Sequence, residues 1–406
     1  MTKGGPAAGS RLLVLGAGVF QLSIIRKARE LGAYVITADN VPSNPGHRIA
    51  NQSINCSTTE TQTLIGQAID LGIDGVVTAA SDVAVPTVAA VRTTLGLPAQ
   101  LSPALARNLS MKPAFREFLA GAGLSSQRYC FSNDFEKIKE EARNFTFPVV
   151  TKPADSSGSR GVIRVSEPVG LDDALRLSAS FSRSGLVGAE ELLAGVEYGG
   201  DLFLEGGRIK HLCVTDKYLR EFTVRGHVLP SGVTPAVETL IRAALAELCS
   251  CLPYVEGPMN FDVKVDDQRV NLIEVSPRLG GNGIPELIRR ANGLDFEAMV
   301  ILQALGVNGT LEDAPPHGMA GSVVLGFDHD GFVGCLPDLE AVRSVAETVW
   351  GVHWAKPVGA KVGAMTDAGG MIGVAYFDCS DRTDYIATCH DLESWLNEVV
   401  CRNAVQ

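Results

Sequence analysis

Residues 259–276 read MNFDVKVDDQRVNLIEVS. Two runs of alternating character flank the polar turn Asp266-Asp267-Gln268-Arg269, a pattern that predicts an antiparallel hairpin with strands at 259–265 and 270–275. With the turn centred on Gln268, Phe261 falls opposite Val275 and Val263 opposite Ile273, all four on one face suited to a core. Alternation sends Asn260, Asp262, Glu274 and Ser276 to the other face. Asp262 then stands directly across from Glu274. Like charges in that position repel, so the pair is either left in open water or neutralised by a shared proton or a divalent cation. With oxygen ligands and no His or Cys nearby, the cation favoured is Mg²⁺, which takes one or two carboxylates and completes its shell with substrate phosphates. A one-residue slip would send the two acids to opposite faces.

An anionic partner for such a cation needs its own cradle, and the sequence upstream offers one. Phe147 to Thr151 reads as a strand and is followed at once by Lys152, which needs an anion if buried. The loop Ser156-Ser157-Gly158-Ser159-Arg160-Gly161 comes next, then a short strand, Val162 to Val165. Glycines and serines between strands let backbone N–H groups approach a phosphate; a plain flexible turn has the same composition. The loop is not a P-loop, because no G-x-x-x-x-G-K-[ST] occurs and no helix follows. Downstream of the hairpin, Arg278 lies between Pro277 and Gly280-Gly281-Asn282-Gly283, where a guanidinium could grip a phosphate or carboxylate in bidentate fashion or could sit free on a surface loop. Pro285 opens a helix that Asn292-Gly293 closes.

The first hundred residues carry a different pattern. The run RLLVL at 11–15 ends in Gly16-Ala17-Gly18, a helix follows from Phe20 to Leu31, and a strand from Tyr34 to Ala38 ends at Asp39. Thr59 and Gln62 form a capping-box pair before the next helix, Gly75 to Thr78 is a strand, and Pro86 to Leu95 a helix. This is a βαβ start. A dinucleotide site is one reading of the glycine turn, with Asp39 for a ribose, but the third fingerprint position is Gln21. The other reading is a tight turn whose N–H groups hold some carboxylate or phosphate. Further helices are expected at 112–123, 171–180 and 236–250, a β-rich stretch at 187–215, and short strands from about 311 with one terminal helix, Leu392 to Val400.

The chain has 406 residues, 46% apolar and 20% charged, enough for two or three domains at roughly 150 residues each. A net charge of −11 argues against a nucleic-acid partner. Nothing approaches the ~18 apolar residues of a membrane helix, and Met1 to Ser10 does not read as a signal peptide. The nine cysteines show no C-x-x-C spacing and are expected as reduced thiols in a cytoplasmic protein; Asp216-Lys217 reads equally as a surface pair or as a group near an anion. The seven histidines do not cluster, and no G-x-S-x-G elbow is present.

In order along the chain, Lys112, Lys152, the Ser156–Gly161 loop, Glu190-Glu191-Leu192-Leu193, Glu197, Asp262, Glu274 and Arg278 resemble the ATP-grasp superfamily. The resemblance implies an α/β (α+β) chain: a pre-ATP-grasp βαβ domain at 1–108, a two-lobed ATP-grasp domain at 109–310 with a mobile lid at about 129–189, and a β-rich C-terminal domain at 311–406. It implies ATP, with Lys112, Lys152 and the loop residues Ser157, Gly158 and Ser159 on the phosphates. Glu190, Glu191 and Leu193 would form the adenine hinge, and Glu197 would take the ribose. Mg²⁺, or Mn²⁺ in its place, would lie on Asp262 and Glu274, and Arg278 would steady the transferred phosphate. Where many members have an Asn two residues after the second acid, this chain has Ser276. The stretches Gly226 to Ser231 and Pro277 to Asn282 look like the amino-acid ligases, implying a small carboxylate and an amine as substrates, amino acids among them, and a homodimer as a common assembly. A purine-pathway enzyme using formate or bicarbonate, a non-catalytic ATP-binding protein and a dehydrogenase are the alternatives.

Overall fold

The computed structural model describes residues 5–98, 101–125, 127–267, 269–307 and 318–402. Gln268, the expected centre of the hairpin turn, and the expected domain boundary at 310/311 lie outside the described residues.

Four parallel strands, Arg11–Leu15, Tyr34–Asp39, Gln52–Asn55 and Gly75–Thr78, form one sheet in the order third, second, first, fourth. Residues 12–15 are fully buried because helices cover both faces. Alternation divides them between two cores. Leu12 and Val14 pack with helices Leu22–Glu30, Ile284–Asn292 and Phe296–Ala304, whereas Leu13 and Leu15 pack with Thr61–Asp70 and Val85–Leu95. The expected Thr59 cap is not made. Glu60 takes the N-cap position, its carboxylate accepts from the Ser57 N–H at 3.1 Å, and the Thr59 hydroxyl bonds to that of Ser57.

The glycine turn is closed from within. Ala17 N–H donates to Asp39 Oδ2 at 2.9 Å and Gly18 N–H to Gln21 Oε1 at 2.9 Å, while Gln21 Nε2 donates to Ala79 O at 2.6 Å. The carboxylate this turn holds is the chain's own Asp39, and Gln21 fills the space beside Gly16.

An eight-stranded antiparallel sheet runs in the order Arg269–Ser276, Gly257–Asp266, Val196–Glu205, Arg208–Arg220, Thr223–Leu229, Met319–Leu325, Gly373–Cys379, Val349–Trp354. Three strands after residue 318, Met319–Leu325, Gly373–Cys379 and Val349–Trp354, therefore continue the same sheet as the 259–276 hairpin, while Gly331–Val333, Lys361–Val362 and Cys401–Arg402 form a small sheet of their own. A separate four-stranded antiparallel sheet, ordered Tyr129–Ser132, Val187–Glu191, Val149–Pro153, Ile163–Val165, carries helices Phe135–Ala142 and Leu171–Ser180. The terminal helix is longer than expected. It spans Arg382–Trp395, capped by the Asp381 carboxylate on the N–H groups of Thr383 and Asp384, and a π-helical turn continues it over Leu396–Val400. Tyr385, Cys389, Leu392 and Leu396, at helical spacing, are its buried stripe.

In the hairpin, Asn260 pairs with Ser276, Phe261 with Val275 and Asp262 with Glu274, as the sequence predicts. One pairing differs: a bulge between Asp262 and Val263 moves Val263 opposite Leu272. Leu272 joins the core, and Ile273, the extra residue, turns to line the cleft described below.

Helix Arg382–Trp395 is tied to the large sheet by charge. Glu393, buried, accepts from Arg225 Nε at 3.0 Å, Arg220 Nη2 at 2.8 Å and Tyr218 Oη at 3.1 Å. Removing one member of a buried ion pair strands the other. The variant Glu393→Ala is therefore expected to lose about 3–5 kcal/mol of stability in urea denaturation; a loss below about 1 kcal/mol would show that the network carries no such load.

Candidate active site

A cleft of about 890 Å³, open on one side, lies between the small four-stranded sheet and the large one. Lining it are Lys112, Lys152, Ser157, Gly158, Ser159, Glu190, Glu191, Leu193, Glu197, Asp262 and Glu274. Of the residues expected on nucleotide, metal or the transferred phosphate, Arg278 alone is not in the lining.

The small sheet supplies one wall. Lys152 is the fourth residue of strand Val149–Pro153, paired in register with Gly188. Its ammonium lies 2.5 Å from Glu190 Oε2, and Arg116 Nε donates to Glu190 Oε1 at 3.0 Å. Burial pushes Glu190 up, but Lys152 and Arg116 outweigh it and hold the carboxyl below its usual range. Burial drives Lys152 down to about 8 against the pull of Glu190. The anion that a buried Lys152 requires is thus Glu190, whose carboxylate is engaged inside the wall. Beyond it the chain leaves the strand: Gln127 Nε2 donates to Glu191 O at 2.8 Å, and Lys264 Nζ to Leu193 O at 3.1 Å.

The Ser156–Gly161 loop is held at Ser156 and Ser159. Lys112 Nζ donates to Ser156 O at 2.5 Å and Ser159 Oγ to Phe222 O at 2.6 Å. Its middle is caught by a distant segment, the Ala368 N–H donating to Gly158 O at 3.0 Å. Gly158 has φ +68°, and a Cβ there would lie 2.5 Å from that of Ala368.

The large sheet supplies the acidic wall. Lys217, left open in the sequence reading between surface and site, is buried, with Nζ 2.7 Å from both Glu197 Oε1 and Asp262 Oδ1. Burial raises Asp262 above the usual carboxylate range even with Lys217 beside it. Ser276 is buried two pairs further along the hairpin from Glu274. Among the described residues no group of three or more His, Cys, Asp or Glu side chains forms a metal cage. Two opposed carboxylates facing an open cleft still fit a hard divalent cation that draws its remaining oxygens from solvent and substrate.

Arg278 lies behind this wall, held by Asp82: Nε and Nη2 donate to Asp82 Oδ1 at 2.9 and 2.5 Å. Burial pushes Asp82 up, but Arg278 outweighs it and lowers the carboxyl. The contact exists because the loop after the hairpin docks on the parallel sheet, with Ala79 bridged to Leu279 and Ala80 N–H donating to Leu279 O at 3.0 Å. On the other side, Asp201, fully buried and pushed up to about 6 by desolvation, accepts from Gly280 N–H and from Asn260 Nδ2.

Several of these groups were legible but unread. Arg116 follows Lys112 by four residues, one helical turn along the same face. Lys264 follows Asp262 by two, on the same strand face. Asp82 lies just beyond the carboxyl end of a parallel strand, where open α/β sheets bind ligands. No local signal marks Asp201 or Gln127.

Residues 145–286 match the family model of the ATP-grasp domain. The chain is 29% identical over 128 residues to carnosine synthase 1 of Homo sapiens, a match covering 31% of this chain and 16% of that protein. It is 25% identical over 287 residues to formate-dependent phosphoribosylglycinamide formyltransferase of Burkholderia pseudomallei, covering 68% of this chain and 64% of that protein. The chain thus spans less than two thirds of the length of these curated relatives. Among solved structures, the L-amino acid ligase of Bacillus licheniformis shares its fold, with a TM-score of 0.80 at 20% identity over 95% of this chain and 98% of that one.

If the Ala368 contact holds the loop down, Gly158→Ala should open it. A left-handed alanine costs about 1–2 kcal/mol before the clash is counted, so tryptic cleavage after the exposed Arg160 should quicken about tenfold. An unchanged cleavage rate would show that the loop is not held there.

Proposed function

We propose that this protein is an ATP-dependent carboxylate–amine ligase that activates a carboxylate as an acyl phosphate and passes the acyl group to an amine, releasing ADP and phosphate. The observation that carries the reading is one cleft with two lysines and a glycine–serine loop on one wall and two carboxylates in register on the other. That is a place for a triphosphate and a divalent cation, between a hinge and an acid suited to adenine and ribose.

In this reading Glu191 and Leu193 present main-chain groups to adenine, Glu190 steadies the hinge through Arg116 and Lys152, and Glu197 accepts from the ribose. Lys112 and Lys152 hold phosphate oxygens, and the loop at Ser157, Gly158 and Ser159 closes over them. Asp262 and Glu274 would hold Mg²⁺, or Mn²⁺ in its place, which when bound neutralises charge between the phosphates. Arg278, oriented by Asp82, meets the charge that develops on the transferred phosphoryl group. Such a transfer depends mainly on positioning and electrostatics, and the closed loop keeps water from the acyl phosphate. In domain terms we propose the parts expected from the sequence, 1–108, 109–310 with a lid at about 129–189, and 311–406.

An amino acid is the proposed carboxylate, on the strength of the Gly226 to Ser231 and Pro277 to Asn282 stretches and the likeness to the L-amino acid ligase. A second reading, a purine-pathway enzyme using formate or bicarbonate, is favoured by the longer match to the formyltransferase. The test is ADP and phosphate release with Mg²⁺-ATP across the twenty amino acids singly and in pairs, with hydroxylamine as an acyl-phosphate trap. Release tied to one amino acid with hydroxamate formed is expected. Release with formate or bicarbonate and a ribonucleotide acceptor would replace it with the second reading.

Glu274→Gln and Lys152→Ala are each expected to lower ATP turnover at least about a hundredfold with the fold intact by circular dichroism; near-normal turnover would sink that residue's assignment. Because burial drives Lys152 down to about 8, its charged fraction falls as pH rises through that value. ADP affinity should therefore weaken between pH 7 and 9, and a flat profile in a fluorescence titration would show that Lys152 does not meet the phosphates.

A further inference from the structure

Lys217 is a fully committed cation. Its side chain is 2% exposed, and its ammonium bridges Glu197 and Asp262 at 2.7 Å each. The space is made for it: a Cβ at residue 199 would come within 2.7 Å of Asp262 Oδ1 and 3.4 Å of Lys217 Cε, so only glycine leaves the three groups room. Glu274, directly across the ladder, makes no ion pair or side-chain hydrogen bond among the described residues. The acidic wall is thus half occupied by an internal ammonium and half open.

We propose that Lys217 is a positioning residue that keeps the divalent cation off Asp262 until nucleotide is bound. The inference rests on the reading of Asp262 and Glu274 as the metal carboxylates. A divalent cation on Asp262 would stand against an ammonium already hydrogen-bonded to the same carboxylate, and the two repel at that range. Without a new anion, Lys217 cannot leave, since a buried ammonium needs a partner. Nucleotide supplies the exchange. Its phosphates enter the same cleft and offer the ammonium new oxygens, and its ribose hydroxyls offer Glu197 new donors. A flexible four-carbon stem lets the ammonium swing between partners without backbone motion. Metal and nucleotide then assist each other through one residue, and the coupling must be reciprocal.

The test is Mn²⁺ binding, read by electron paramagnetic resonance, with and without ADP and corrected for Mn–ADP formed in solution, for the full chain and for Lys217→Met. In the unaltered protein ADP should tighten Mn²⁺ binding by about tenfold or more. In Lys217→Met, Mn²⁺ should bind about tenfold more tightly without ADP, and the enhancement by ADP should shrink to less than about threefold. A background charge alone would change Mn²⁺ affinity by the same factor with and without ADP. An unaltered ADP enhancement in Lys217→Met therefore overturns the inference. Asp262→Asn separates this failure from that of the underlying reading: if it leaves Mn²⁺ binding unchanged under both conditions, the acids do not hold metal, and the inference falls with that reading. Should Lys217→Met fail to fold, Lys217→Gln keeps a hydrogen-bond donor between the two acids and is read by the same ratio.

Discussion

Two carboxylates set directly across an antiparallel ladder repel, and burial of one of them makes the repulsion worse. Asp262 and Glu274 are in that position, and much of the surrounding structure can be understood as the response. The strand Val196–Glu205 next to Asp262 has glycine at 199, so that Lys217 can reach past it. Glu197, on the same strand, shares that ammonium. The bulge after Asp262 turns Ile273 out of the core and into the cleft, and its carbonyl accepts from Arg116 Nη1 at 2.9 Å. Arg116 in turn reaches Glu190 and thereby Lys152. The acidic wall and the basic wall are thereby connected through one guanidinium, and neither can shift far without the other.

The parallel sheet contributes from behind. Its strand Gly75–Thr78 ends at the loop that carries Asp82, and the bridge from Ala79 to Leu279 presses the Arg278 loop against it. Gln21, filling the glycine turn and donating to Ala79 O, braces the same loop. A turn that reads as a dinucleotide fingerprint in sequence therefore works here as internal support. Asp201 fastens the other side of the Arg278 loop through Gly280.

Residues 318–402 do more than cover one end. Three of their strands extend the large sheet, with Gly226 opposite Val323, and Ala368 reaches back to the glycine loop. The buried network of Glu393 with Arg225 and Arg220 holds this part against the central strands. A loop proposed to close over phosphates is thus anchored by a segment some two hundred positions away in the chain.

What the sequence by itself determined is what depends on short-range periodicity. The 259–276 hairpin, its acidic face, the strand before Lys152 and the helix between Pro285 and Gly293 follow from alternation, helical spacing and capping residues, which act over a few positions. Of the cleft residues, Asp262, Glu274, Lys152 and the Ser156–Gly161 loop are marked by such local pattern, whereas Lys112, Glu190, Glu191, Leu193 and Glu197 are expected only from the ordered resemblance to the ATP-grasp superfamily. The tertiary structure decided which of those groups meet. The Asp262 bulge, the burial of Lys217 between two acids, the pairing of Arg278 with Asp82 and the hold of Ala368 on Gly158 all join distant segments. No local pattern encodes them: whether a lysine such as Lys217 is a surface charge or the counterion of a buried acid is settled only when the strands on either side of it are in place.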